Sequence, residues 1–431
     1  MAKTYDTYKD SGIAWIGNIP SEWEIAHIKH YCRQIYAGGT PQSNNPDYWD
    51  GDIPWIPSGV CHDNIIENAP KYITKLGLEN SSTKLIPQNT SVIAMTGATC
   101  GNTGYITFDT CMNQSVTAYV AKESNTYSKY IFYLLQAARE YILTKRTGGA
   151  QSGINVDDCK NLEVPYIKYK EQQAIASYLD EKCGEIDSLI SLQEEMISEL
   201  QAYKQSIITE AVTKGLDSNV PMKDSGVEWI GMIPEGWNHM KLKYITKISR
   251  GLFNHRPRND ERFYGGEHPF IQTGDVARAS KYIKSYSQTL SDLGTSVSKQ
   301  FPKGTLTMTI AANVGDVSIL SFDAYFPDSV LGIIPNKDIN STFIYYVLKA
   351  MKTELVNAAI VSTQLNLNIE RVYNMFATVP PLSEQQAIAS YLDEKTSQID
   401  SLIALKQEKI TELKDYKKSI IYEYVTGKKK V

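Results

Sequence analysis

The chain has 431 residues, 42% of them hydrophobic and 21% charged, an ordinary globular composition with room for about two to four domains. No apolar run reaches the roughly 18 residues needed to cross a membrane, and the opening MAKTYDTYKDSG lacks the basic-then-apolar layout of an export signal. A net charge of −4 argues against indiscriminate nucleic-acid binding, although it leaves room for a local basic surface.

In chain order, the first distinctive block is Lys9-Asp10-Ser11-Gly12 with Trp15-Ile16-Gly17, Ile19-Pro20 and Trp23. His27 and His30 have a metal-like spacing, but no carboxylate or cysteine cluster accompanies them, so they read as surface or capping histidines. The polar loop Gly38-Gly39-Thr40-Pro41-Gln42-Ser43-Asn44-Asn45 follows. The Asn45-Pro46-Asp47-Tyr48 at its end reads as a turn rather than as the Asn-Pro-Pro-Tyr signature of amino-group DNA methyltransferases. Strands are expected at 91–95, 105–108 and 115–120, and a helix from Tyr127 to about Leu143. The stretch Lys145-Arg146-Thr147-Gly148-Gly149 is a second polar loop, and Gln151-Ser152-Gly153-Ile154-Asn155 leads out of this segment.

From Glu171 to about Thr213 there is no proline, and Gly184 is the only glycine. Leu179, Ile186, Leu200 and Ile207 fall on a seven-residue spacing, with Leu189, Ile190, Met196, Ile197 and Tyr203 three or four positions further on. This predicts a long amphipathic helix with a coiled-coil-like seam, roughly 65 Å long at about 1.5 Å per residue.

The second half retraces this course. Lys223-Asp224-Ser225-Gly226, Trp229-Ile230-Gly231, Ile233-Pro234 and Trp237 repeat the opening block. Strands are expected at 305–310, 317–320 and 329–334, and a helix from Ser341 to about Val356. Where the first half has its polar glycine loop, the second crowds Arg250, Asn254, His255, Arg256, Arg258 and Arg262 together, with Phe253 and Phe263 interleaved and Asp260 and Glu261 offsetting part of the charge. Arg and Asn are the side chains that read guanine and adenine edges; Arg278, Lys281 and Lys284 follow as candidates for phosphates. A last helix begins after Pro380-Pro381, with Ser383 and Gln386 in a capping-box pattern and Leu392, Ile399, Leu402, Ile403, Ile410, Leu413, Tyr416 and Ile420 on its stripe.

The string EQQAIASYLDEK occurs at Glu171–Lys182 and again at Glu384–Lys395, a spacing of 213 residues. Ile186-Asp187-Ser188-Leu189-Ile190 returns as Ile399-Asp400-Ser401-Leu402-Ile403, and Gln151–Asn155 keeps register with Gln364-Leu365-Asn366-Leu367-Asn368. Each half therefore has two near-identical blocks flanking a variable one. Simple duplication for stability explains similarity everywhere, not identity in some blocks beside divergence in others. The six cysteines lie in the first half with no paired spacing and no counterparts, and read as reduced thiols of a cytoplasmic protein. No dinucleotide or phosphate-loop motif, nucleophile elbow or zinc-hydrolase motif appears.

These residues together resemble the DNA-specificity subunits of type I restriction–modification enzymes, over nearly the whole length. The resemblance rests on the Asp-Ser-Gly…Trp-Ile-Gly…Ile-Pro…Trp blocks at 10–23 and 224–237, and on Gly38-Gly39-Thr40-Pro41 with Tyr48-Trp49 and Ile53-Pro54-Trp55. It rests also on the Leu-Asn-Leu-Asn of 365–368 and the Val-Pro-Pro-Leu-Ser-Glu-Gln-Gln of 379–386. The first half departs, with Ser152-Gly153-Ile154-Asn155 and Val164-Pro165-Tyr166-Ile167-Lys168 in place of these, so a slightly different helix start is expected there.

The resemblance implies an α+β fold. Two mixed α/β target-recognition domains (1–165 and 216–378) would be separated by two long antiparallel conserved helices (166–215 and 379–431) in a pseudo-two-fold internal repeat. It implies a non-catalytic subunit in which each domain reads one half of a bipartite double-stranded DNA target. Thr40, Gln42, Ser43, Asn44, Lys145, Arg146, Arg250, Asn254, His255, Arg256, Arg258 and Arg278 are the candidate contacts. The helices would set the unread spacer and dock two methyltransferase subunits through Leu179, Ile186, Ile190, Ile197, Leu200 and Ile207, with Leu392, Ile399, Ile403, Ile410, Leu413 and Ile420 in the second copy. No cofactor or metal is expected on this chain. S-adenosylmethionine belongs to the modification subunits, and ATP and Mg to two restriction subunits where the complex also cleaves. The competing readings are a coiled-coil scaffold joining two protein-binding domains and an enzyme fused to its own recognition domains.

Overall fold

The structure, a computed structural model, describes residues 3–148, 152–361 and 365–431. It divides into two compact units, one of residues 1–194 with 407–431, the other of residues 195–406. Compactness thus cuts both long helices in the middle, whereas the pattern of sequence blocks divides the chain at their ends.

In the first unit, β1 (Cys32–Ala37), β2 (Asn64–Ile66), β3 (Thr90–Ala94), β4 (Thr103–Ile106) and β5 (Val116–Ala121) form a five-stranded sheet in the order β1-β5-β3-β4-β2. In the second, β6 (Thr246–Arg250), β7 (Tyr282–Ile283), β8 (Leu306–Thr309), β9 (Val317–Leu320) and β10 (Val330–Pro335) take the same path, β6-β10-β8-β9-β7. The central strands are buried on both faces and accordingly apolar or threonine-rich, as in Thr90-Ser91-Val92-Ile93-Ala94 and Leu306-Thr307-Met308-Thr309. A smaller sheet stands beside each, three strands around Trp49–Ile56 and four around Tyr264–Phe270. Mixed α/β units with a repeated topology agree with the expected fold class.

The helix expected at 127–143 is two helices, α1 (Ser128–Ala137) and α2 (Arg139–Thr144), broken at Ala138. Its counterpart is likewise α4 (Ser341–Ala350) and α5 (Lys352–Asn357), broken at Met351. The break lets Arg139 reach Asp63 at 2.6 Å and Lys352 reach Asp316 at 2.7 Å. The Asn that ends each outgoing motif is a helix cap: Asn155 accepts from the Asp158 amide, and Asn368 from the Glu370 amide. Gln151 and Gln364 lie outside the described residues, as does Gly149.

The long helices are α3 (Tyr169–Lys214, 46 residues) and α6 (Leu382–Val425, 44 residues). Tyr169 and Leu382 are equivalent positions, so the two helices start at the same place despite the different residues before them. Ser383 lies inside α6 and caps nothing there. What fixes the start is Gln172 and Gln385, both buried within the repeat. Gln172 accepts from the Tyr127 amide (2.9 Å) and donates to the carbonyls of Asn125 (3.1 Å) and Ile167 (2.9 Å). Gln385 accepts from the Asn340 amide (2.8 Å) and donates to the carbonyl of Pro380 (2.9 Å). Ile175, Ala176 and Leu179 then bury themselves against the first unit, and Ile388, Ala389 and Leu392 against the second. One turn on, Asp180 binds Lys129 and the Tyr133 hydroxyl, both at 2.7 Å; Asp393 binds Lys281 and the Tyr346 hydroxyl, both at 2.6 Å. Half of the repeated string is therefore identical because it anchors each helix to its own globular part.

Within the first unit α3 and α6 run antiparallel. Tyr178 meets Tyr424 with ring centroids 4.5 Å apart, and Asp187 meets Lys417 at 2.7 Å. The second unit has the same relation, with Met196 beside Lys406 and Lys204 paired to Asp400 at 2.6 Å. Leu179, Ile186, Ile190, Leu392, Ile399, Ile410 and Ile420 are buried, and Ile197, Leu200, Ile207, Ile403 and Leu413 half-buried, so the expected seam closes inside the molecule. Leu189, Met196, Tyr203, Leu402 and Tyr416, placed on that stripe by their spacing, are instead exposed. A helix pair has one seam, and these side chains lie off it.

Candidate nucleic-acid interface

The sheet topology collects several of the candidate loops at one end. In the first unit β5 lies between β1 and β3 and runs antiparallel to both, with Ala37 opposite Thr117 and Ala94 opposite Val116. The loop leaving β1, the turn entering β5 and the loop leaving β3 therefore share an edge of the sheet. Thr147 and Gly153 join them, since Gly153 bridges to both Thr96 and Thr147. In the second unit Arg250 lies opposite Leu331 and Thr309 opposite Val330, which brings the loops leaving β6 and β8 together in the same way.

Each glycine loop is held tightly. The Gly38 and Gly39 amides donate to the carbonyls of Val116 (3.0 Å) and Met112 (2.8 Å), and a Cβ on Gly38 would collide with the Met112 carbonyl oxygen. Trp55 Nε1 donates to Gly39 O (3.1 Å), Trp49 Nε1 to Gln42 O (3.2 Å), and Thr40 Oγ1 is hydrogen-bonded to Gln114. With its backbone fixed, the loop leaves the side chains of Gln42, Ser43 and Asn44 exposed. Asn45 spends its amide oxygen on the Asp47 amide in a short 3-10 turn, as expected of a turn. Lys145 caps α2 with Nζ 4.9 Å from the Tyr141 ring centroid, and Arg146 donates to Ser152 O at 3.4 Å.

In the second unit Gly251 repeats the close approach: its amide donates to Val330 O (2.9 Å), and a Cβ would meet the Phe326 carbonyl oxygen. Phe253 and Phe263, read from sequence as interleaved aromatics, are buried with Phe270 and Leu290 in a core cluster and are closed to base stacking. The basic residues divide by what they already hold. Arg258 grips Asp328 in two bonds of 2.7 and 2.8 Å, and Asp328 is the counterpart of Gln114. Arg262 grips Asp260 (2.7 and 3.0 Å), holding that carboxyl far below the usual range. His255 stacks on Phe263 (centroids 3.9 Å) and reaches Asp260 at 3.2 Å. Arg278 binds the buried Asp275 at 2.5 Å and sits on a separate short helix, Thr273–Arg278. Arg256 uses one nitrogen on the carbonyls of Phe253 (3.0 Å) and His255 (2.9 Å). Arg250, Arg256 and Asn254 are exposed without a carboxylate partner among the described residues, which leaves them open to a ligand.

All six cysteines are buried and outside any disulfide, and burial pushes the Cys32 and Cys61 thiols up to about 12, so these two are poor nucleophiles. Among the described residues no side-chain group could hold a metal ion, and no helix is long and apolar enough to cross a membrane.

The identity of the repeated string points from sequence to one partner docking twice, but the residues expected there were seam positions, and the exposed half of the string was not singled out. Gln173, Ala174, Ser177 and Glu181 lie on one face of α3, and Gln386, Ala387, Ser390 and Glu394 on the same face of α6; all eight are exposed. Each unit also exposes one identical trio of large side chains: Leu189, Leu192 and Tyr416 in the first, Leu402, Leu405 and Tyr203 in the second. Identity between copies at exposed helical positions was the available signal.

The sequence profile described as "Type I restriction modification DNA specificity domain" matches residues 20–202 and 234–415. The chain is 24% identical over 442 aligned residues to the type I restriction enzyme MjaIX specificity subunit of Methanocaldococcus jannaschii, covering 96% of this chain and 95% of that one. It is 26% identical over 447 residues to the putative type I restriction enzyme MjaX specificity subunit of the same organism, covering 96% of each. A solved structure described as underlying complex assembly and conformational transition of the type I R-M system covers 94% of this chain and 98% of its own. The TM-score is 0.71 at 16% identity, a likeness of fold.

Proposed function

Because the chain belongs to the type I restriction–modification DNA specificity family, we propose that each unit reads one half of a bipartite double-stranded DNA target. The reading surface is the sheet end that carries Gln42, Ser43 and Asn44 in the first unit and Arg250, Asn254 and Arg256 in the second. The long helices set the unread gap between the half-sites and dock two modification subunits. Those subunits carry S-adenosylmethionine and transfer the methyl group; two restriction subunits, with ATP and Mg, join where the complex cleaves. This chain contributes no catalytic residue and works in the cytoplasm.

The observation that carries this reading is the contrast between the exposed repeats and the exposed loops. Gln173, Ala174, Ser177 and Glu181 are matched by Gln386, Ala387, Ser390 and Glu394 where no internal packing demands identity. The Leu-Leu-Tyr trio is likewise presented twice to solvent. One partner binding twice accounts for both. The glycine loops share an anchored backbone and differ in every outward side chain, as two readers of different half-sites must.

Methylome sequencing of the host with and without this gene tests the proposal. Loss of one bipartite adenine-methylation motif is the expected result; an unchanged methylome would sink it.

A further inference from the structure

Beside the exposed repeats each unit has a groove built from equivalent residues. In the first unit it is about 370 Å³, and its lining includes Phe132, Tyr133, Gln136, Asp180, Asp187 and Lys417. In the second it is about 790 Å³, and the corresponding residues are Tyr345, Tyr346, Lys349, Asp393, Asp400 and Lys204. Gly184 and Ser397 stand at the grooves' edges, one helical turn beyond the exposed Glu181 and Glu394. A partner seated on the exposed repeat therefore borders the groove.

The grooves differ in charge. In the first unit every lining carboxylate has its own cation: Asp63 holds Arg139, Asp180 holds Lys129 and Asp187 holds Lys417. In the second, Asp393 holds Lys281 and Asp400 holds Lys204, and Lys349 is left over. Its ammonium stands 5.7 Å from the Tyr345 ring centroid, with Lys281 5.8 Å from the same ring, and no carboxylate lies within ion-pair distance among the described residues. Burial lowers its pKa; the nearby Asp316 carboxylate, and to a lesser degree Asp400, pull it back up, while Lys352 and Lys204 push it down. An ammonium so placed is stabilised by an incoming anion. Gln136, its neutral counterpart, is not.

We propose that Lys349 accepts a carboxylate side chain of the modification subunit, so that two copies of one partner dock on the two units with unequal, salt-dependent affinity. This rests on the reading that modification subunits dock twice. A protein carboxylate fits better than a DNA backbone, because one cation is in surplus: a single carboxylate meets it, whereas the next phosphates of a run would face Asp393 and Asp400, whose lysines are already paired.

The test is titration of the full-length chain with the modification subunit of its host, followed by native mass spectrometry and calorimetry at low and high salt. Beyond the statistical factor that separates successive binding to two identical sites, the first copy is expected to bind about two- to five-fold more tightly than the second at low salt, the range for one partly exposed ion pair, with this gap closing at high salt. K349Q should abolish the inequality, and Q136K should strengthen the weaker step. Salt-independent steps that differ only by the statistical factor in the unaltered chain overturn the proposal while leaving two-fold docking intact. So does an inequality that survives K349Q and ignores Q136K, or a K349Q that weakens DNA binding and leaves the partner titration unchanged. Failure of any two-to-one complex to form overturns the docking reading itself.

Discussion

The repeated string has a buried half and an exposed half, and mutation should separate them. Replacing Gln172 by Ala strands the Tyr127 amide and the carbonyls of Asn125 and Ile167, which Gln172 now satisfies with bonds of 2.9, 3.1 and 2.9 Å. A buried donor left unsatisfied costs about 1–3 kcal/mol, and each lost neutral hydrogen bond about 0.5–1.5 kcal/mol. The side chain is almost wholly buried, so the cavity adds to this, and water entry at the helix end relieves part of it. The expected loss is roughly 2–4 kcal/mol in the first unit. Gln385→Ala, with two such bonds, should cost somewhat less in the second. The assay is native-state hydrogen exchange read at the Tyr127 and Asn340 amides, because a single unfolding midpoint has no clear meaning for two units. Exchange at Tyr127 should quicken about 30-fold or more, the equivalent of at least about 2 kcal/mol, with Asn340 unchanged. Protection at Tyr127 within about threefold of the unaltered chain would mean that the clamp does not set the helix start, and that the identity of Gln172 and Gln385 has another origin.

Charge or bulk placed on the exposed half, Ala174→Arg with Ala387→Arg, should leave exchange unaltered and abolish binding of the modification subunit; retained binding would take that face out of the interface. Arg250→Ala with Arg256→Ala should weaken DNA binding and flatten the salt dependence by up to about two in log–log slope, at about 0.9 for each phosphate no longer neutralised; an unchanged slope would remove both from the phosphates. Arg258→Ala acts differently, releasing Asp328 and loosening the loop, so its effect should appear as altered base preference in methylome motifs rather than as a uniform loss of affinity. Matched heptad insertions after Glu194 and after Lys406 keep the pairings Asp187–Lys417 and Lys204–Asp400. They should lengthen the gap in the target by about three base pairs, from seven residues at about 1.5 Å against about 3.4 Å per pair. An unchanged gap in a variant that still binds its partner would refute the ruler.

The large elements were legible because their signals are local. The three strands expected in each half fell within a residue or two, the long helices formed over the expected spans, and the turn at Asn45 formed; the sheet strands at Cys32–Ala37, Asn64–Ile66, Thr246–Arg250 and Tyr282–Ile283 went unread. The breaks at Ala138 and Met351 were not legible, because no proline or glycine marks them and the ion pairs made just beyond them, to Asp63 and Asp316, join residues distant in sequence. The recognition loops were only partly readable for the same reason. Arg258, Arg262 and Arg278 look alike in a string of basic residues, and only folding reveals that carboxylates already hold them. Phe253 and Phe263 alternate with charges as base-stacking rings would, yet they close a small core.

The same limit explains what the repeat could and could not say. Identity between two copies marks selection, and a sequence does not separate selection by an internal partner from selection by an external one. Burial does. Gln172, Ile175, Ala176, Leu179 and Asp180 are accounted for by the unit they sit in, and need no second molecule. Gln173, Ala174, Ser177 and Glu181 face outward and are not. With Glu171, Tyr178 and Lys182 half-buried between the two groups, an external partner has to explain at least these four positions per copy, not all twelve. The last of those four, Glu181 and Glu394, stand one helical turn from a groove whose charge differs between the units at Gln136 and Lys349, so two docking sites that share a sequence need not share an affinity.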